Sequence, residues 1–312
     1  MIINMSGGGA SGDKIVTVHV TPGTGANVTC TNDKKTFTGT TDANGDAIFK
    51  LSKGPWTITA ECSGATFTKN VNISENCTIN ISLEQIPVFT YTGDYEIVDD
   101  DDNEITSSAD NWKIRFLTSG TLKFTTLNGA ADGIDVFCVG GGGNGSTWGA
   151  YDSSASMTKA AGGGGGGGYT TTKKGVTVTA NTTTYEIVVG GAEGTSSGFN
   201  VSASGGSSAS ATSGADGGSG GGSWRNAGAS DGANATSGGE GQGTTTREFA
   251  ESGATLYAGG GGGASKAGGA GGGGAGGNNG KSGTANTGGG GGGGKDSKGS
   301  GGSGIVIIRN AR

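Results

Sequence analysis

The chain has 312 residues, a formal net charge of -6, a pI near 4.9 and 73 glycines. The acidic balance gives a nucleic-acid partner no support, and no apolar run approaches the roughly 20 residues of a membrane span, so neither nucleic-acid binding nor membrane insertion is expected. With one histidine and no carboxylate pair in a pocket-like context, no catalytic set can be assembled; no enzyme activity, cofactor or metal site is expected.

Met1-Ile2-Ile3-Asn4-Met5 lacks the basic start and apolar stretch of a secretory signal, so synthesis and folding in a reducing cytoplasm are expected. Residues 1–13 are polar, carry Gly7-Gly8-Gly9 and read as either a floppy terminus or a tail for attachment. Residues 14–85 read as seven short strands forming a small antiparallel β-sandwich. Val16, Val18 and Val20 alternate with Thr17 and His19; the turn Asp42-Ala43-Asn44-Gly45 precedes Ala47, Phe49 and Leu51. Trp56-Ile58-Ala60-Cys62 and Cys77-Ile79-Ile81-Leu83 continue at period two. Cys30, Cys62 and Cys77 share the inward phase and read as small core groups, since no C-x-x-C spacing marks a metal site. His19 falls on the polar face.

Residues 86–312 form the second expected domain. Its β lead-in, 86–139, contains the run Asp99-Asp100-Asp101-Asp102-Asn103-Glu104, which lacks the glycine of a calcium-hand loop and reads as a solvated hairpin tip. Residues 140–304 hold 59 of the 73 glycines. Four β-prone segments abut glycine runs: Ile134 to Val139, Tyr185 to Val189, Leu256 to Ala258, and Ile305 to Ile308. A disordered linker has no reason to place such chemistry at its boundaries. The pattern predicts packed polyglycine-II helices, which have three residues per turn, lack internal hydrogen bonds and turn every backbone group toward a neighbour. Gly162 to Gly168 and Gly288 to Gly294 would each span roughly 22 Å in that form. Residues 305–312 read as a closing strand. Gly140 to Gly143 after a strand is no phosphate loop, because no Lys-Ser/Thr and no helix follow.

Two resemblances add to this reading. Val16 to Thr21, Ala26 to Thr31, Thr40 to Gly45 and Gly54 to Ile58 resemble a carboxypeptidase-regulatory or Cna-B type sandwich, an Ig-like or transthyretin-like spacer module of adhesins and phage fibres. Some adhesin versions form a Lys–Asn isopeptide bond with the help of a glutamate; here Ala60 stands at that place and Glu61 falls on the opposite face, so no such bond is expected. Asn111 to Leu122, Val136 to Val139 before glycine, and Gly301 to Arg309 resemble the glycine-rich domain of bacteriophage tail-fibre and tail-tip proteins. Met5-Ser6-Gly7-Gly8-Gly9 resembles the same family more weakly. Long glycine-poor stretches such as Ser196 to Ala211 depart from its pattern and leave the number of packed helices open.

The second resemblance implies a virion protein whose glycine-helix loops recognise a host-surface receptor, glycan or protein. The N-terminal region would join other tail or virion proteins, and a homo-oligomer is compatible with the chain. A structural virion spacer or decoration fibre, without receptor binding, is the alternative. An ice-binding polyglycine protein is a third reading, which wants a regular Gly-X-X period and a flat Thr/Ala face, neither of which is found. Because glycine helices offer few side chains, receptor contacts are expected on the loops, at Trp148, Tyr151, Trp224, Arg225, Arg247 and Phe249.

Overall fold

A computed structural model describes residues 13–21, 24–62, 65–82, 86–105, 111–147 and 162–312. The chain is all-β, and the described residues hold two 3-10 turns as their only helical pieces. It divides into two compact units, one built from residues up to Pro87 with 105–112, the other from Val88–Glu104 with Lys113–Arg312.

The first unit is a two-sheet sandwich. Strands β1 (Lys14–Thr21), β4 (Asp46–Leu51) and β7 (Cys77–Ser82) form one sheet in the order β4-β1-β7. Strands β2 (Asn27–Thr31), β3 (Thr36–Thr40), β5 (Gly54–Cys62) and β6 (Ala65–Ile73) form the other, in the order β3-β2-β5-β6. Period-two alternation sends Val16, Val18, Val20, Val28, Phe49, Leu51, Trp56 and Ile58 into one core between the sheets. One pairing departs from the antiparallel expectation: β1 and β7 run parallel, Val16 opposite Cys77 and Val20 opposite Ile81. A parallel pair needs a long crossover, and the five intervening strands supply it. Cys30 is a buried free thiol, whereas Cys62 and Cys77 are half-buried against the core. His19 lies on the polar face, its Nδ1 2.7 Å from an Asp46 carboxylate oxygen.

The second unit opens with β8 (Val88–Tyr91), β9 (Tyr95–Val98), β10 (Lys113–Phe116), β11 (Gly120–Thr126) and β12 (Ile134–Val139). After the first long glycine runs come β13 (Thr170–Val176), β14 (Tyr185–Ile187), β15 (Ser196–Gly198) and β16 (Val201–Ala203). Strands β17 (Gly277–Asn279), β18 (Gly294–Ser297) and β19 (Ile305–Asn310) complete it. The central sheet has the order β13-β12-β19-β10-β9. Its two middle strands, β12 and β19, are buried almost throughout, as their unbroken apolar text requires. Both lead directly into or out of glycine: Val139 opposite Ile305 closes their pairing, and Gly140 and Gly304 continue beyond it.

Beyond that edge the backbone forms parallel rods without internal hydrogen bonds. Gly162 to Gly168 shows the arrangement. Every third amide finds the same neighbour: Gly162, Gly165 and Gly168 donate to the carbonyls of Gly294, Gly291 and Gly288. Gly163, Gly166 and Tyr169 donate to Ala211, Ser207 and Ser204; Gly164 and Gly167 donate to Gly222 and Ser219. Its carbonyls accept in the same rhythm, from Ser146, Gly143 and Gly140 at residues 163, 166 and 169, from Ala215 and Gly218 at residues 164 and 167, and from Gly261 at residue 165. Those bonds are 2.7–3.1 Å long and give one rod six neighbours. Three residues per turn with three donor and three acceptor directions is polyglycine-II packing.

The cost of a side chain here is steric. A Cβ built on any residue from Gly162 to Gly168 would lie 1.8–2.2 Å from a neighbouring backbone oxygen. Rods at the rim escape this demand. Ser204 to Ala211, read from sequence as a departure, is such a rod: Gly206 is buried, while Ser204, Ser207 and Ser210 are exposed. Leu256 to Ala258 is not the strand expected; Ala258 has φ +55° and a single bridge joins Leu256 to Arg247.

Candidate functional site

The rods bring loops of distant sequence to one end. Residues 288–294 run antiparallel to 162–168 and parallel to both 140–146 and 259–263, as the three-residue steps of their bonds show. Residues 204–211 and 219–222 run antiparallel to 162–168 as well. Ser146, Gly162, Ala211, Gly222, Gly263 and Gly294 therefore mark a common end, and the five-stranded sheet marks the opposite one. Ser223 to Asn226 and Ala264 to Ala267 leave from the first of these, which we call the loop end, and β18 continues Gly294 there through Lys295 to Ser297.

Trp224 and Arg225 sit there. The Trp224 amide donates to the Thr212 carbonyl at 2.8 Å, and Gly263 donates to the Asn226 carbonyl at 2.9 Å, fixing the loop to two rods. Arg225 takes φ +70° and is exposed; its guanidinium carbon lies 4.2 Å from the centroid of the half-buried Trp224 ring. That distance is a cation–π contact, which orders the guanidinium without neutralising it. Beside the pair runs a groove of about 470 Å³, lined by Arg225, Asn226, Ser230, Asn234, Thr236 and Lys266 among others. Lys266, Lys295 and Lys298 are further cations of this end, with Asp296 as the described acid among the same segments. Among the described residues no carboxylate pairs with any of these four cations.

The remaining expected contacts separate from this pair. Trp148 and Tyr151 lie outside the described residues. Phe249 is a correction: it is 2 % exposed and packs with Phe137, Tyr257 and Ile307 at the strand end. Its ring carries the Arg309 guanidinium at 4.1 Å, and the apolar edge of β12 and β19 draws it inward. Arg247 is likewise engaged by the protein. Its Nε donates to Asp231 at 3.2 Å and its Nη1 to the Ala254 carbonyl at 2.8 Å, so its donors brace a loop.

A buried charge network lies on the five-stranded sheet. Lys113, 5 % exposed, is 2.6 Å from Asp102 and 3.2 Å from Glu248; Arg115 contacts Asp102, Glu96 and Glu248. The acidic run is thus not merely a solvated tip, for Asp102 pairs with both cations and Asp100 with Arg312. Burial opposes ionisation of Asp102, yet Lys113 and Arg115 hold its carboxyl below the usual range. Burial, joined by the Glu248 carboxylate, pushes the Tyr257 phenol up. A second cluster joins Arg309 to the fully buried Asp135 and to Glu251, whose carboxyl the Arg309 hydrogen bonds hold at about 2. Each charge here meets an opposite one, which is how buried ions are tolerated. These clusters brace the sheet, with the buried Arg115 Nε left without a hydrogen-bond partner. Among the described residues no His/Cys/Asp/Glu cluster could hold a metal, and no helix is long and apolar enough to cross a membrane.

Sequence reasoning singled out Trp224 and Arg225, which lie on a loop of this end, and did not single out Lys266, Lys295 and Lys298. Nothing local marks those lysines; only the rod directions bring them together.

No curated protein matches the chain. Two solved structures are similar to parts of it: a DUF3823 family protein from Parabacteroides merdae ATCC 43184, 9% identical, covering 42% of this chain and 67% of its own, with TM-score 0.22. The other, a DUF3823 family protein from Bacteroides ovatus ATCC 8483, is 12% identical over 56% of this chain and 81% of its own, with TM-score 0.21. Scores of that size carry no argument. The family model described as "Glycine-rich domain" matches residues 117–311, more than half of the chain and most of the second unit: the protein belongs to that glycine-rich domain family.

Proposed function

We propose that this protein is a bacteriophage tail-fibre or tail-tip adhesin that recognises a host-cell surface through the loop end of its glycine-rich unit. In this reading the sandwich is a spacer and the N-terminal region joins other virion proteins. The observation that carries it is the convergence of separate loops, with exposed Arg225 ordered over Trp224, at one end of a rigid hydrogen-bonded array. Rigid elements presenting side-chain-rich loops are the usual architecture of recognition, and Trp and Arg are common binding anchors. The competing reading, a virion spacer without a receptor, has its own support: Arg225 covers one face of Trp224, as a residue pinning its loop would.

Adsorption to a panel of bacterial cells separates the two. The full chain is expected to bind at least one strain saturably. Replacing Trp224 and Arg225 together by alanine is expected to reduce that binding with little change in melting temperature. Binding to no strain, or a folded double variant that adsorbs like the parent, would favour the spacer.

A further inference from the structure

We propose that the loop end binds an anionic glycan, a polysaccharide carrying carboxylate or phosphate groups, in the groove between Arg225 and Lys266. The inference rests on the adhesin reading and specifies its ligand. Four observations support it. First, the sign of charge is reversed locally: Arg225 and Lys266 line one groove with no carboxylate among its lining residues, on a chain whose net charge is -6. Second, among the described residues Arg225 and Lys266 have no ion-pair partner; exposed lysines such as Lys50 and Lys281 share that state, but Arg225 and Lys266 line one groove together. Unpaired basic groups on a groove whose lining holds no carboxylate give that groove an attractive field for anions. Third, Arg225 is held over Trp224 at 4.2 Å, so its guanidinium keeps its charge and its planar donors while losing little freedom on binding.

The fourth observation concerns the lining. Besides the two cations the groove presents Asn226, Ser230, Asn234 and Thr236, short amides and hydroxyls that match the hydroxyls of a sugar chain. Asn234 uses its Oδ1 to accept from Gly241 at 2.9 Å, which turns its amide nitrogen into the group left for a ligand. No aromatic ring lines the groove as a platform for bases, so a polyol fits it better than a single-stranded nucleic acid. At about 470 Å³ it accommodates a short oligosaccharide segment.

The test uses the full chain with immobilised polygalacturonate, a ribitol-phosphate polymer and neutral dextran, at 50 and 300 mM NaCl. Binding to one or both anionic polymers, weakened by salt, is expected, with none to dextran; the preferred polymer distinguishes carboxylate from phosphate. R225A/K266A is expected to bind at least tenfold more weakly, and K266E alone at least threefold more weakly. Lys266 is exposed and unpaired, so K266E keeps the test independent of folding. K50A, at an exposed sandwich lysine, is expected to bind like the parent. Equal binding to dextran, unchanged binding by K266E, or tighter binding to a single-stranded DNA of the same length would overturn the proposal. Cell adsorption that persists without polyanion binding removes the glycan class and leaves the adhesin reading standing. Absence of both removes the two together.

Discussion

The sandwich and the glycine-rich unit satisfy their backbones by opposite means. In the sandwich, strands pair edge to edge and side chains at period two fill the space between sheets, so the core is made of Val, Ile, Leu and Trp. In the rods, the backbone bonds neighbours in three directions at period three, and what fills the interior is more backbone. The first arrangement is damaged when a side chain is removed. The second is damaged when one is added.

That contrast is sharpest at Gly165. An added Cβ would meet the Gly143 carbonyl oxygen at 2.1 Å, and backbone on all sides cannot step away. We expect Gly165→Ala to cost more than about 4 kcal/mol, beyond ordinary overpacking, and to abolish amide-exchange protection over 162–168 and 288–294. Retained protection across those amides would show that the rods yield, and the contrast would fail. The reciprocal change is Trp56→Ala, which empties the sandwich core. It should cost about 3–5 kcal/mol, read as lost protection in β2 and β5. A loss of protection that left those strands untouched would break the comparison from the other side.

Acid separates the units more gently. The Glu251 carboxyl is held at about 2 by Arg309, below the ordinary 4.5. A depressed folded-state pKa gives stability that is complete above about 4.5 and is lost as pH falls toward 2. The side chain is 44% exposed, so solvent screening reduces the full linkage to about 1 kcal/mol. Urea titrations of the glycine-rich unit should show that decline between pH 5 and 2, and Glu251→Gln should flatten it. An unchanged pH slope in the variant would remove Glu251 from the account. Smallest of all is the loop end, where Trp224→Ala/Arg225→Ala should alter stability by less than about 1 kcal/mol. A larger thermal shift would mean that the pair holds its loop rather than serving a ligand.

The parts legible in the sequence were those governed by local pattern. Val16, Val18 and Val20 announced an alternating strand, and Gly162 to Gly168 announced a rod, because each motif meets its requirement within a few residues. Ser204 to Ala211 was illegible as a rod, since a rim position needs glycine only where the backbone faces inward. Leu256 to Ala258 misled because apolar composition says nothing about the positive φ at Ala258. Phe249 and Trp224 look alike in sequence, as single aromatics within two residues of an arginine. Their fates diverge because one loop leaves the strand end, beside an apolar core, and the other leaves the end without one. The same dependence hid Lys266, Lys295 and Lys298, whose grouping exists only once the rod directions are known.

The threefold rhythm of the rods also dictates how such a domain can change length. One turn takes three residues and advances about 9 Å. Adding a triplet to a rod would return every later residue to the same neighbour, one turn further on. Adding one residue or two would rotate all that follows by about 120° or 240° and present each amide to the wrong rod. Such a lattice has a reading frame of its own, written in backbone geometry. The loops at its end lie outside that frame and are free to vary by any number.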